Sequence, residues 1–158
     1  MAIKIGQPAP DFSLYDTNKQ LVSLSEQKGQ NVLLLFFPFA FSSTCTAELC
    51  SVRDNLKMYE GLQVKPIGIS VDSLYSLKKF KEDQHLNFPL LSDFNKEVSK
   101  AYGAFYEKFS YGMQGVSKRA AFIIDKEGIV QYAEVLEKAS EQPGFTAIQE
   151  KLLTLQTE

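Results

Sequence analysis

The run "NVLLLFFP" at 31–38 constrains this chain more than any other stretch. No polar residue interrupts it from Val32 to Phe37, and a proline closes it. A continuous apolar run too short for a helix marks a strand covered on both faces. Such a strand needs layers above and below it, which points to an α/β arrangement. The remaining stretches can supply those layers. "KPIGISVD" (65–72) reads as a second buried strand and "FPLLSD" (88–93) as a short third. Between them Asp72 or Ser73 caps a helix over "SLYSLKKFKEDQ". "NKEVSKAYGAF" (95–105) predicts a short helix ending near Gly103, and "AAFIIDKEGIVQYAEV" (120–135) a hairpin around Asp125-Lys126-Glu127-Gly128. "GFTAIQEKLLTLQ" (144–156) predicts an amphipathic closing helix. At the other end, "DFSLYD" (11–16) and "QLVSLS" (20–25) alternate in polarity, as an N-terminal β-hairpin turning at "TNK" does. No repeat or long Gly/Ser linker divides the 158 residues, so a single domain over 1–158 is expected, built as a three-layer sandwich.

The totals remove several function classes. A net charge of −2 gives no electrostatic reason to expect nucleic acid or anionic membrane as a partner. No segment approaches the roughly 20 apolar residues that cross a bilayer. "MAIKIGQPAPDF" lacks the apolar core of a signal peptide, so a reducing cytoplasmic location is expected. Two cysteines and one histidine fall short of a Cys/His zinc site, so no metal is expected. His85, in the polar stretch "KEDQHLNF", reads as a solvated helix end.

Both cysteines, Cys45 and Cys50, lie just beyond the buried strand in "FPFAFSSTCTAELCSVRD" (37–54). Pro38 ends the strand, and Ser42, Ser43 and Thr44 offer N-cap oxygens for a helix whose apolar face is Cys45, Leu49, Val52, Leu56 and Tyr59. Cys45 therefore falls in the first turn, where unpaired N–H groups and the helix dipole favour an anion. The thiolate is the nucleophilic form of cysteine. Free cysteine is also among the most buried residue types, so position alone leaves inert packing open. Five residues of helix rise about 7.5 Å and separate the two Cα atoms by roughly 8.5 Å. A disulfide needs about 7 Å or less, so an intact helix keeps these thiols apart and bridging them requires local unwinding.

Pro38-x-x-x-Ser42-x-x-Cys45 resembles the Pro-x-x-x-(Thr/Ser)-x-x-Cys signature of the peroxiredoxins, thiol peroxidases on a thioredoxin-like fold with a central mixed sheet. "GQPAPDFSLYD" (6–16), "PIGISVDS" (66–73), "FPLLSD" and "KRAAFIIDKEGIVQY" (118–132) resemble further segments of that family in the same order. The resemblance implies that Cys45 is the peroxidatic cysteine, Ser42 its hydroxyl partner, Pro38 its shield from water and Arg119 its cation. Backbone N–H groups near Thr44 and Cys45 would bind the peroxide oxygens, and Glu48 would orient Arg119 or Arg53. Arg53, two turns beyond Cys45, is carried as a second cation toward substrate.

A cysteine five positions after the first resembles the Q-type, or bacterioferritin-comigratory, group, which implies that Cys50 resolves the Cys45 sulfenic acid. The flanking "FFPFAF…CTAEL…VRD" resembles the alkyl hydroperoxide reductase E type, which often works with one cysteine. Implied with this are a peroxide substrate, hydrogen peroxide or organic, thioredoxin or glutaredoxin as reductant, no cofactor, and a monomer or homodimer. Two rivals remain at this point. A thiol-disulfide oxidoreductase would want Cys-x-x-Cys. A copper-binding module would want soft ligands for Cu(I) and a suitably placed histidine. Phe37, Phe39 and Phe41, with Phe105, Tyr106, Phe109 and Tyr111, offer apolar surface for an organic peroxide's tail, for a dimer contact or for plain core packing.

Overall fold

A computed structural model describes residues 3–156. Its centre is a five-stranded sheet of β3 (Asn31–Phe36), β4 (Val64–Ser70), β5 (Leu90–Ser92), β8 (Ala120–Ile124) and β9 (Val130–Val135), ordered β5-β4-β3-β8-β9. β3 runs parallel to β4, and β4 to β5, while β8 pairs antiparallel with both β3 and β9. The sheet is therefore mixed, with the apolar run of 31–38 in the middle and every residue of β3 buried.

Alternate side chains of β3 feed two cores, as strand geometry dictates. Leu33 and Leu35 join Leu49, Phe80 and Ile148 on the face covered by α1 (Ser43–Asp54), α2 (Leu56–Gly61), α3 (Leu74–Asp83) and α5 (Phe145–Gln156). Val32, Leu34 and Phe36 join Phe12, Val98 and Tyr102 on the other face. That face is closed by the hairpin of β1 (Ser13–Tyr15) and β2 (Leu21–Ser23), a 3₁₀ turn at Leu24–Gln27, and α4 (Glu97–Ala101). The α/β three-layer arrangement and the N-terminal hairpin agree with the sequence reading. Gly68, mid-strand in β4, shows how tight the packing is: a Cβ there would stand 2.7 Å from Leu90 Cδ2 and 3.3 Å from Phe37.

Two local expectations change. The apolar face drawn through Tyr59 belongs to two helices, because α1 ends at Asp54 and Asn55 turns its side-chain amide onto the Ser51 carbonyl at 2.8 Å. Leu56 consequently starts a new helix and is only half-buried. The aromatic stretch from Phe105 to Tyr111, given no strand from the sequence, opens a second hairpin, β6 (Phe105–Lys108) with β7 (Gln114–Ser117), whose tip places Tyr111 in a left-handed conformation. Its strands are four residues each, too short to leave a clear period in the sequence.

Candidate active site

The site forms where β3 ends. Pro38 is buried at the strand exit, and residues 37–42 carry the chain up to α1. Ser42 is the N-cap by backbone geometry, its carbonyl accepting from Thr46 N at 2.9 Å. Its hydroxyl does not cap the helix; it donates to the Phe39 carbonyl at 3.2 Å. The N–H groups of Ser43, Thr44 and Cys45 precede the first intrahelical bond and have no acceptor within the helix. Cys45 is fully buried at this end of α1, beneath a half-buried Thr44.

Asp72, expected only as a possible cap, holds this loop. Its Oδ2 accepts from Ala40 N at 2.8 Å and from the Ser70 hydroxyl at 2.7 Å, while Ser73 caps α3 by accepting from Ser76 N at 3.2 Å. Burial pushes the Asp72 carboxyl above its ordinary range, opposed by these two donors. The position follows from topology, because Asp72 leaves β4 next to the exit of β3.

Arg119 arrives from the opposite side. The antiparallel pairing of Phe36 with Ala120 sets Arg119 just beyond the carboxyl end of β3. Its Nη2 donates to Cys45 Sγ at 3.2 Å and its Nη1 to Glu48 Oε1 at 2.6 Å. Nε and Nη2 both donate to the Ala139 carbonyl, at 3.1 and 2.7 Å. The guanidinium is 1% exposed, so each contact acts in a poorly screened interior. Burial works against its charge, but Glu48 and Cys45 outweigh it and raise the arginine's pKa. Lys118 pairs with Glu137 at 3.1 Å, and the Tyr106 hydroxyl donates to the Glu137 carbonyl at 2.6 Å, steadying the segment that presents Ala139.

Glu48 lies one helical turn past Cys45 and is fully buried. Burial raises its carboxyl from the ordinary 4.5 to about 7, against the pull of the Arg119 charge and hydrogen bond. Its Oε2 has no hydrogen-bond partner among the described residues. One arginine thus serves two acids of one helix, and the acid on Cys45 is the one that can do redox chemistry.

Cys50 faces elsewhere. Both thiols are free, and Cys50 is half-buried with its Sγ donating to Gln84 Oε1 at 3.5 Å, at the end of α3. The structure does not bring Arg53 to Cys45 either. Its guanidinium donates to the Gln84 carbonyl at 2.5 Å and pairs with Asp54 at 2.9 Å, on the side of α1 that carries Cys50. Eight residues turn a helix through about 800°, and the resulting offset moved Arg53 off the Cys45 face toward α3.

Residues 5–133 match the model of the AhpC/TSA family. The chain belongs to that family, the peroxiredoxins, and is a thiol-dependent peroxidase. It is 40% identical over 145 residues to alkyl hydroperoxide reductase E of Mycobacterium tuberculosis, covering 90% of this chain and 88% of the relative. It is 37% identical over 132 residues to peroxiredoxin Bcp of Escherichia coli, covering 82% and 84%. The crystal structure of peroxidoxin BcpB from M. tuberculosis superposes with a TM-score of 0.82 at 29% identity, over 98% of this chain and 97% of that one. This peroxiredoxin neighbour makes the sandwich a thioredoxin-like fold.

Seen as a peroxiredoxin, the chain has gathered Pro38, Ser42, Thr44, Cys45, Glu48 and Arg119 at one end of the sheet, and left Cys50 and Arg53 against α3. The two aromatic groups meet there: the Phe39 and Phe109 rings lie edge to face at 5.9 Å, and Tyr106 packs on Phe109 at 5.2 Å. Phe41, in a left-handed conformation, sits on Phe80 at 5.1 Å. Three contributors escaped the sequence reading. Asp72 carried a signal, a lone acid at a strand's carboxyl end; the Ala139 carbonyl and the Gln84 amide carried none. Among the described residues no three or more His, Cys, Asp or Glu gather as a metal group, and no helix is long and apolar enough to cross a membrane.

Proposed function

We propose that Cys45 is the peroxidatic thiol and that Cys50, in the same chain, resolves it. The 3.2 Å contact between Arg119 Nη2 and Cys45 Sγ carries the reading, because it aims a buried, fixed cation at the attacking sulfur. The thiolate attacks one peroxide oxygen, the O–O bond breaks, and the departing oxygen takes a proton and leaves as water or alcohol. Arg119 and the free N–H groups at the start of α1 stabilise the charge that develops on the oxygens. Pro38 and the buried setting keep bulk water off the sulfur. Thr44 contributes its backbone N–H, and the exposed Ser42 hydroxyl turns from Phe39 to the incoming oxygen.

The Cys45 sulfenic acid then condenses with the Cys50 thiol, releasing water and leaving a disulfide. A dithiol protein of the thioredoxin or glutaredoxin kind returns two electrons and two protons. Hydrogen peroxide and organic hydroperoxides both fit this chemistry, and the Phe39–Phe109 wall suits an organic tail. The chain works as one domain in a reducing cytoplasm.

Intact-mass measurement after one equivalent of hydrogen peroxide, followed by thiol alkylation, tests both roles. The native chain should lose about two mass units and take up no alkyl label, while Cys45→Ser should leave peroxide unconsumed. Peroxide consumption by Cys45→Ser at the native rate would overturn the role of Cys45. A gain of about 16 units with Cys50 still alkylated would mean that an external thiol resolves the sulfenic acid.

A further inference from the structure

The second half of α1 is tied to the end of α3 at a spot the peroxide chemistry does not use. Cys50 Sγ donates to Gln84 Oε1 at 3.5 Å, Arg53 Nη1 donates to the Gln84 carbonyl at 2.5 Å, and Asn87 Nδ2 donates to the Arg53 carbonyl at 3.3 Å. Each contact joins residues 31 or 34 positions apart. Together they engage the thiol, a side chain and a backbone carbonyl of the last turns of α1. The Arg53 carbonyl lies in the last turn of α1, where the Asn55 N–H is shared among three carbonyls, and Asn87 adds a donor from another element.

Ser43–Asp54 is continuous helix, and helix geometry keeps the Cα atoms of Cys45 and Cys50 roughly 8.5 Å apart. Cys45 is anchored through its neighbours Glu48 and Arg119 on the sheet side. Any approach of the two sulfurs therefore requires α1 to unwind, and the contacts with Gln84 and Asn87 are what hold its Cys50 end in place.

We propose that Gln84 and Asn87, acting with Arg53, form a latch that positions Cys50 and sets how fast it reaches a Cys45 sulfenic acid. The inference rests on the reading that Cys50 resolves Cys45. A closed latch holds Cys50 against the end of α3, away from Cys45. An open one releases the helix end and lets condensation outrun a second peroxide attack, which would carry Cys45 to the sulfinic acid. The latch thus divides each sulfenic acid between disulfide and over-oxidation.

The test compares the native chain with Gln84→Ala/Asn87→Ala. Neither residue touches Cys45, Arg119 or Glu48; Asn87 is exposed and Gln84 half-buried, so the fold should hold. Rapid-quench alkylation and mass spectrometry give the rates of sulfenic-acid and disulfide formation, and hydrogen exchange reports on residues 46–54. Removing two neutral hydrogen bonds should speed disulfide formation on the order of tenfold, with matching faster exchange at the end of α1. It should lower the sulfinic fraction under excess peroxide and leave the first oxidation unchanged. Native disulfide rates and exchange in the double variant overturn the latch alone. No intramolecular disulfide even in the native chain overturns the resolving role of Cys50, and the latch with it.

Discussion

Cys45 and Cys50 share one helix, yet the surroundings of the two sulfurs have little in common. Cys45 is fully buried at the helix start and faces a buried arginine brought from 74 residues away. Cys50 is half-buried near the helix end and faces a neutral amide, with the nearby Arg53 turned to a carbonyl and to Asp54. The same side chain on the same helix meets a buried cation in one setting and a neutral amide in the other. What separates them is the second element each one meets: the start of β8, preceded by Arg119, or the end of α3, capped by Gln84.

Removing the cation should erase that difference most completely. Arg119→Met should slow sulfenic-acid formation on the order of 10²–10³-fold, because a fixed donor to the reacting charge is lost. Trapping the sulfenic acid over time checks this, and a rate within twofold of native would take Arg119 out of the chemistry. Stability should suffer less than loss of an ion-pair partner usually costs, since Glu48 can accept a proton near neutral pH instead of keeping a lone buried charge.

A smaller effect should follow from loosening the loop that delivers Cys45. Asp72→Ala leaves the buried Ala40 N–H without its acceptor, at a cost of about 1–3 kcal/mol in urea unfolding. The first oxidation should slow roughly tenfold through misplacement of the helix start. Asp72→Asn, which keeps an acceptor for Ala40, should recover most of that rate, while disulfide formation at Cys50 changes little.

The smallest effect sharpens the comparison through pH. The Glu48 carboxyl titrates at about 7 in the folded chain against an ordinary 4.5, so between those values the folded state binds a proton that the unfolded state has lost. Native stability is therefore favoured below 4.5 and declines as pH rises from there through 7. Glu48→Gln should flatten that decline in unfolding measured from pH 4 to 8. It should change the oxidation rate only a few-fold, since Arg119 remains on Cys45. A decline that survives the substitution would assign it to another group.

Much of this could be read from local pattern. An unbroken apolar run reads as a doubly covered strand, a proline followed by hydroxyls marks where that strand yields to a helix, and Cys45 in the first turn follows from counting residues. Periodicity was less help where one polar side chain decides the outcome: Asn55 ends α1 although the apolar spacing continues, and the short β6–β7 hairpin carries too few residues to show a period. Arg119 was nominated only through family resemblance, since nothing in its own neighbourhood marks it.

The order and type of the main elements, and the placing of Cys45 at a helix start, were determined by the sequence alone, because helix caps, strand runs and turns act over a few neighbouring residues. Which partner each side chain meets was decided by tertiary structure. Register between β3 and β8 sets Arg119 on Cys45, the exit of β4 sets Asp72 on Ala40, and the end of α3 draws Arg53 and Cys50 away to Gln84. Those contacts span tens of residues and depend on sheet register and helix rotation, which no local spacing encodes.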